Sequence, residues 1–363
     1  MIERDLIIIG GGPAGLSAAK VALEAGLRVT IFERGLALGG QLVKQTHKFF
    51  GSKEQYAKTR GIDIAEKMYQ NLLFYQNLLE IHLEATVLAI YKDYVVTVLK
   101  GDKYLKYKAK AVIVAVGASE KMLGFVNNDF PGVYGAGAVQ TLMNLYGVLP
   151  GKEIIMVGSG NIGLIVSYQL LQAGVKVKAV VEAAPTIGGY KVHAAKLRRL
   201  GVPILTSTTI KEVLGDGVVE KAVLVSLDQS WQMIKGSELV INADAICIAV
   251  GLSPLHQLLS MVEIEMRYVP ELGGLVPKTN DCLETSMKNV FVAGDVSGIE
   301  EASSAMVEGS LAGLCAAKAL GFSHPKYEQL VDSCRKQLLV LRMGPYGAKT
   351  RIGIQKLKEE SAC

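Results

Sequence analysis

The segment Asp5-Leu-Ile-Ile-Ile-Gly10-Gly-Gly-Pro-Ala-Gly15 joins an apolar run of strand length to glycines spaced as Gly-x-Gly-x-x-Gly. An Ala/Leu-rich run at helical spacing follows in residues 16–26, and a second apolar run in residues 27–32 ends in Glu33. Strand, glycine turn, helix, strand and an acid about 20 residues on form the dinucleotide-binding fingerprint in its full context. We therefore predict a βαβ unit that binds a dinucleotide, rather than a glycine turn in a plain core unit.

The residue types of this turn suit a phosphate ligand. Gly10 makes the tight turn, Gly12 lets a pyrophosphate approach the backbone, and Gly15 lets the helix pack on the strand. The helix N-terminus offers free N–H groups and partial positive charge to the phosphates. Glu33 can accept hydrogen bonds from ribose hydroxyls.

Composition excludes several other classes of function. The chain has 363 residues, half of them apolar, which is enough for two or three domains with their own cores. The net charge of +5 is too mild, and its Lys and Arg too dispersed, to indicate nucleic-acid binding. No uninterrupted apolar run approaches the roughly 18 residues of a membrane span, and the sequence opens on a strand rather than a secretory signal.

Cysteine spacing indicates a reduced, cytoplasmic setting. No two of the five cysteines are close enough for a CxxC pair or a metal knuckle, so we predict no metal site and interpret them as buried apolar residues. They are Cys247, Cys282, Cys315, Cys334 and Cys363.

The fingerprint occurs a second time, 148 residues later. Glu153-Ile-Ile-Met-Val-Gly158-Ser-Gly160-Asn-Ile-Gly163 again predicts strand, glycine turn and helix, with the next strand over residues 175–181. Two dinucleotide folds in one chain are hard to explain as chance. The other predicted elements are a helix over 56–79, antiparallel strands over 84–107, buried strands over 111–116, 244–251 and 289–295, a helix near 138–146, an alternating region over 204–227, a helix over 302–320, an amphipathic tail helix from 324 and a basic helix over 349–360.

Two fingerprints, two strands ending in Ala-Val-Gly (Gly117 and Gly251) and a late Val-Ala-Gly-Asp295 together resemble the pyridine nucleotide–disulfide oxidoreductase superfamily in its short, thioredoxin-reductase-like form. The resemblance covers roughly residues 3–322. It implies an α/β fold with two Rossmann-like, three-layer ββα domains, FAD in the first and NAD(H), less favourably NADP(H), in the second. The implied FAD domain comprises 1–118 and 250–322, the inserted NAD domain 119–249, and a helical tail 323–363.

The resemblance also implies site residues. Gly294 and Asp295 match the place that contacts the FAD ribitol, although Asp295 could also be a plain helix N-cap, and Ala302 starts a helix aimed at the flavin ring. Gly40-Gln41-Leu42 matches the segment along the isoalloxazine, and Thr46 a flavin-contacting threonine. The predicted cofactor-binding residues are Gly10, Gly12, Pro13, Ala14, Gly15, Glu33, Arg34, Gly40, Gln41, Thr46, Val87, Ala115, Gly117, Gly158, Gly160, Asn161, Ile162, Gly163, Glu182, Gly251, Gly294, Asp295 and Ala302.

Glu182 favours NADH, because an acid at this place accepts from the ribose 2′-OH and repels a 2′-phosphate. By the exact offset, however, the equivalent of Glu33 is Val181. A shift of one residue along a strand turns the side chain to the other face, so the register decides this preference. A nucleotide other than NAD could also occupy the second turn.

The departures from the family pattern concern sulfur. The chain has no CxxC, and the segment after Glu33 carries no cysteine, so the flavin must pass its electrons to something other than a dithiol. His47 is the histidine nearest the implied flavin edge, either as a catalytic proton donor or, more simply, as a structural histidine.

Within the superfamily the chain resembles FAD/NAD-binding alpha subunits of the proline dehydrogenase, sarcosine oxidase, opine oxidase and cyanide synthase complexes. The similar pieces are Gly39–Gln41 running into Thr46–Gly51, Pro131–Ala138, Val181–Pro185 and Leu341–Gly347. The resemblance implies an oligomer whose partner is a second dehydrogenase or iron–sulfur subunit. The alternatives are a stand-alone NAD(P)H:acceptor reductase using ferredoxin, quinone or oxygen, and a non-catalytic nucleotide-binding subunit.

Overall fold

The computed structural model describes residues 1–49 and 52–359. Phe50, Gly51 and Cys363 therefore lie outside the described residues. So does residue 360, the last of the predicted basic helix. The chain divides into two compact units. Unit 1 comprises Met1–Ser119 and Ser253–Cys363, and unit 2 comprises Glu120–Leu252.

Unit 1 is built on a sheet with the strand order β3-β2-β1-β6-β5-β4, in which β19 (Val290–Val292) also pairs with β6. Strands β1, β2, β3, β6 and β19 are parallel, and β4 and β5 join as an antiparallel meander. The elements of its first segment are β1 (Ile2–Ile9), α1 (Pro13–Glu24), β2 (Val29–Phe32), α2 (Gly61–Leu73), β3 (Leu79–His82), β4 (Ala85–Ile90), β5 (Val95–Lys100) and β6 (Lys103–Val114).

The helix predicted over 56–79 is wrong at both ends. Tyr56 and Lys58 have φ of 60° and 68°, which a helix excludes, so α2 begins only at Gly61. At the other end, Leu79–His82 pairs in parallel with β2. The apolar pattern continued across this boundary because helix and strand pack on the same core.

Strand β6 is one continuous strand, where the sequence indicated two. Residues 103–108 pair antiparallel with β5, and residues 112–114 pair in parallel with β19. One strand therefore passes from the meander into the parallel sheet beside β1 without a break.

Unit 2 repeats the parallel core, in the order β11-β10-β9-β15-β8, and adds the antiparallel sheet β12-β13-β14. Strands β7 and β16 pair where the chain passes between the units, next to Gly117 and Gly251, which both have positive φ. The elements are β7 (Ala118–Glu120), β8 (Val133–Gly135), α3 (Ala136–Tyr146), β9 (Glu153–Val157), α4 (Asn161–Gln172), β10 (Lys176–Val181), α5 (Lys191–Arg199), β11 (Ile204–Leu205), β12 (Thr208–Leu214), β13 (Lys221–Ser226), β14 (Leu239–Asn242), β15 (Ala245–Ile248) and β16 (Leu252–Pro254).

The second segment of unit 1 covers the first βαβ unit with helices. Its elements are α6 (Gln257–Ser260), β17 (Met266–Val269), β18 (Gly274–Pro277), β19 (Val290–Val292), α7 (Ala302–Ala319), α8 (Tyr327–Leu341) and α9 (Ala348–Lys358). A Cβ on Gly309 would lie 2.0 Å from the carbonyl oxygen of Ala14, so glycine lets α7 approach the backbone of α1. The tail helix α8 packs on the same core through Val331, Cys334 and Leu338. Among the described residues, no helix has the length and apolarity to cross a membrane.

Candidate functional site

The first glycine turn allows no side chain at its two ends. A Cβ on Gly10, whose φ is 103°, would lie 2.4 Å from the carbonyl oxygen of Ala115, and a Cβ on Gly15 would lie 1.9 Å from that of Gly10. Both distances are far inside van der Waals contact. The turn can therefore form only with glycine at these positions.

The middle of this turn is open instead. A Cβ on Gly12 would meet nothing closer than the Cα of Gly40, at 3.8 Å. Gly12 is the N-cap of α1 and has no side chain to cap the helix, while Pro13 has no N–H. The amides of Ala14 and Gly15 in the first helical turn thus face a space that suits a pyrophosphate.

Glu33 closes the turn from the end of β2. Its two carboxylate oxygens accept hydrogen bonds from the N–H groups of Gly11 (2.8 Å) and Gly35 (2.7 Å), one each. Each oxygen keeps a lone pair for a ligand hydroxyl. The Glu33 carbonyl accepts from the N–H of Ala85 at 2.9 Å, which places the start of β4, two residues before Val87, beside this acid. Arg34 points to solvent.

The second turn has the same geometry. Cβ atoms on Gly158 and Gly163 would lie 2.3 Å from the carbonyl oxygen of Ala249 and 2.1 Å from that of Gly158. At Gly160 a Cβ would meet nothing within 4 Å. Both turns therefore leave the same middle position open, and Asn161 and Ile162 begin α4 as Pro13 and Ala14 begin α1.

Glu182 occupies the place of Glu33 because of a β-bulge. The pairing of β10 with β9 slips by one residue between Val177 and Ala179, so Lys178 is an extra residue in the strand. Glu182 follows Glu33 by 149 residues, one more than the 148 residues that separate the two fingerprints. The extra residue in the bulge accounts for this difference. Glu182 then accepts hydrogen bonds from the N–H groups of Ser159 (2.9 Å) and Ala184 (3.0 Å), as Glu33 does from Gly11 and Gly35.

Ser159 and a second Gly-Gly segment belong to this site but were missed from the sequence. The Ser159 hydroxyl donates to Glu182 at 2.6 Å and accepts from the N–H of Gly188 at 3.1 Å. The N–H of Gly189 donates to the Ser159 carbonyl at 2.8 Å; in the first turn the corresponding carbonyl, that of Gly11, accepts from Gly39, the first glycine of its pair, at 2.7 Å. Extending the internal repeat past the acid would have shown that Gly188-Gly189 follows Gly39-Gly40 by 149 residues.

The end of β19 lies beside the first turn. A Cβ on Gly294 would be 3.1 Å from the Cβ of Ala14. The next residue, Asp295, is half-buried, and its carboxylate accepts a long hydrogen bond of 3.3 Å from the N–H of Glu300. Burial raises the pKa of Asp295 to about 6. A recessed carboxylate with only this long hydrogen bond described suits a ligand hydroxyl. Helix α7 begins at Ala302, as expected.

The segment after Gly39 places the remaining predicted residues. Gly40 packs against Gly12, since its Cβ would be 2.8 Å from the Gly12 Cα, and Gln41 is exposed at the start of a short 3₁₀ helix, Gly40–Lys44. Thr46 is half-buried, and His47 stacks on Phe49 with ring centroids 5.7 Å apart. The catalytic role of His47 stays a prediction.

The sequence profile of one family, described as pyridine nucleotide-disulphide oxidoreductase, matches residues 4–309. The chain belongs to this family. Members of the pyridine nucleotide-disulphide oxidoreductase family are flavin-dependent oxidoreductases that bind FAD and NAD(P)H, and both glycine turns fit a dinucleotide.

Three curated relatives illustrate the range of the family. The sarcosine oxidase alpha chain from Corynebacterium sp. (strain P-1) is 26% identical over 88% of this chain and 33% of its own length. An opine oxidase subunit from Rhizobium meliloti is 27% identical over 87% and 63%. Thioredoxin reductase from Peptoclostridium litorale is 28% identical over 86% and 96%. The chain thus spans about a third of the length of the sarcosine oxidase chain and somewhat under two thirds of the length of the opine oxidase subunit.

Solved structures confirm the two-domain α/β fold. Thioredoxin reductase of T. acidophilum superposes with a TM-score of 0.71 at 23% identity, over 88% of this chain and 99% of that one. L-proline dehydrogenase from P. horikoshii gives 0.68 at 24% identity, over 92% and 59%.

This chain has no CxxC. Cys247, Cys315 and Cys334 are buried, and Cys282 is half-buried. Burial raises the pKa of Cys315 to about 12 and that of Cys334 to about 11, so both stay protonated thiols at neutral pH. Within residues 1–49 and 52–359, no cluster of His, Cys, Asp or Glu could hold a metal ion.

Proposed function

We propose that unit 1 binds FAD, that unit 2 binds NADH, and that the protein passes hydride between nicotinamide and flavin and then to an acceptor other than a dithiol. Flavin, when bound, supplies the two-electron chemistry, and the protein binds and orients it. The observation that carries the proposal is the matched geometry of the two turns. Each has glycines that exclude a Cβ at both ends, an open middle glycine, and an acid held by two backbone N–H groups.

The position of Glu182 supports NADH over NADPH. Its carboxylate holds the same place as that of Glu33 and accepts hydrogen bonds from Ser159 and Ala184. A 2′-phosphate brought to this carboxylate would be repelled.

The relatives support a role as the FAD/NAD-binding subunit of an amine, opine or hydroxy-acid dehydrogenase complex. Two of them are named as subunits of sarcosine and opine oxidases. In this proposal a partner chain, either a second dehydrogenase or an iron–sulfur protein, binds the organic substrate or relays electrons. His47 would then donate a proton at the flavin edge.

A stand-alone NAD(P)H:acceptor reductase is the second candidate. It is favoured by the match over 96% of the length of a thioredoxin reductase, at 28% identity. Turnover of NADH with ferredoxin, quinone or oxygen by the isolated chain would support this candidate. Co-purification with a partner that confers substrate oxidation would support the role in a complex.

A reciprocal pair of variants tests which turn binds which nucleotide. Replacing a charged hydrogen-bond acceptor costs about 1.5 kcal/mol or more, which corresponds to roughly tenfold in affinity. Glu33→Gln should weaken FAD binding by about that factor and leave NADH binding unchanged. Glu182→Gln should weaken NADH binding by about that factor and leave FAD binding unchanged. It should also reduce the difference in affinity between NADH and NADPH.

The measurements are FAD titration of the apoprotein and anaerobic NADH titration of the holoprotein. If wild-type protein takes up no FAD, or NADH leaves the bound flavin oxidised, the proposal fails and a non-catalytic nucleotide-binding role is favoured. Effects that do not separate between the two variants would contradict the assignment of the two turns.

A further inference from the structure

A buried ionic cluster joins the C-terminal tail to the end of β19. Arg342, directly after α8, donates through Nη2 to Glu308 Oε1 (2.6 Å) and to Glu300 Oε1 (2.7 Å), and through Nε to both oxygens of Glu300 (3.1 Å). The side chains of Arg342, Glu308 and Glu300 are 18%, 6% and 11% exposed, respectively. The planar guanidinium thus uses its fork to hold two carboxylates at once.

The far side of the cluster reaches the first glycine turn. Glu308 Oε2 accepts from the N–H of Gly294 (2.9 Å) and from the Ser297 hydroxyl (3.0 Å). Gly294 in turn packs on Ala14, which begins the phosphate-facing turn of α1. A single carboxylate therefore connects Arg342 to the backbone on which Asp295 is placed.

The charges of this cluster depend on Arg342. Burial raises the pKa of Glu308 to about 7, with the charge of Glu300 acting in the same direction and Arg342 opposing both. Burial acts against the charge of Arg342, yet its bonds to the two carboxylates keep its pKa above the ordinary value. Without the arginine, two buried carboxylates would face each other unpaired, which is strongly unfavourable.

We propose that Arg342 is a positioning residue of the flavin site, acting through Glu308 on the Gly294–Asp295 turn. This inference rests on the proposed binding of FAD by unit 1. Docking of the tail and binding of FAD are then coupled: the fork of Arg342 fixes the position of the Glu308 carboxyl group, and Glu308 holds the turn in the conformation that FAD requires. The residue touches neither nucleotide turn itself.

The test is FAD affinity of the apoprotein, measured by flavin fluorescence in Arg342→Met, Arg342→Lys, Glu308→Gln and the double variant Arg342→Met/Glu308→Gln. We expect Arg342→Met to raise the Kd for FAD by at least about fivefold, as for a typical coupling between sites. Arg342→Lys should recover part of the affinity, since lysine keeps the charge but not the fork. In the double variant, the two losses should be far from additive, because both act through one carboxylate.

Leu338→Ala is the matched control. Leu338 lies on α8, is buried in the same core and does not belong to the cluster, so its truncation loosens the tail by packing alone. Its unfolding temperature should fall at least as far as that of Arg342→Met while its Kd for FAD stays near wild type. If Arg342→Met does not fold, Arg342→Lys and Glu308→Gln are compared with Leu338→Ala in its place.

The inference is overturned if the arginine variants bind FAD like wild type, if Leu338→Ala loses FAD to the same extent, or if the losses of Arg342→Met and Glu308→Gln simply add. Wild-type apoprotein that takes up no FAD would instead refute the proposed function, which separates the two failures.

Discussion

Glu33 and Glu182 have the same role in their two units. Each follows the second parallel strand of its βαβ unit and holds the adjacent glycine turn by hydrogen bonds. Each carboxylate accepts backbone N–H groups from its own glycine turn and from the residue two positions on. The second also binds the Ser159 hydroxyl, which has no counterpart at Gly11. Glu182 therefore keeps less capacity for ligand hydroxyls than Glu33 does.

Asp295 sets a pH-dependent balance between stability and binding. Its pKa is raised from 3.8 to about 6 by burial, so between those values the folded protein binds more protons than the unfolded chain. The stability of wild-type apoprotein should fall relative to Asp295→Asn as pH rises through this window, and stay lower above it. FAD affinity of the variant should be lower, because a neutral acceptor bonds more weakly.

Thermal unfolding of both apoproteins at pH 4 and pH 7.5 checks this expectation. A difference in unfolding temperature that is the same at both pH values would show that the ionisation of Asp295 plays no part.

Among the elements, the approach of α7 to α1 depends on Gly309. In Gly309→Ala the new methyl would lie 2.0 Å from the Ala14 carbonyl, and overpacking of this kind lowers the free energy of unfolding by about 1–3 kcal/mol. Because Ala14 begins the phosphate-facing turn, FAD affinity should fall as well. Gly124→Ala is the control, since a Cβ there meets nothing within 4 Å. Denaturant unfolding and FAD titration measure both effects; equal behaviour of the two variants would contradict the steric argument.

The bulge in β10 decides the direction of Glu182. Deleting Lys178 removes both the extra residue and the bulge, so β10 should pair with β9 residue for residue and Glu182 should keep its direction. We therefore expect NADH binding and FAD content both to be retained. Lys178→Ala, which keeps the bulge, should bind NADH like wild type. Loss of NADH binding in a folded deletion variant that retains FAD would refute the register argument.

On the scale of the whole molecule, the proposed electron path uses no sulfur. Cys315 and Cys334 are protonated and buried at neutral pH. Replacing Cys282, Cys315 and Cys334 together by alanine should therefore leave the rate of NADH-driven flavin reduction within about twofold of wild type, since hydride transfer belongs to the cofactors. Stopped-flow absorbance of the flavin measures it. A large loss of rate in folded, FAD-loaded protein would indicate a thiol in the path.

The sequence by itself determined both glycine turns, the acids that follow them and the start of α7 at Ala302, because these depend on local chemistry: strand, tight turn, helix N-terminus. The tertiary structure alone decided which way Glu182 points, because a bulge is a property of strand pairing and not of one strand's pattern. It also decided that residues 103–114 form one strand, since two different neighbours divide its pairing. The Arg342 cluster joins residues 34 and 42 positions apart, and no local pattern records a contact that only the docking of the tail creates.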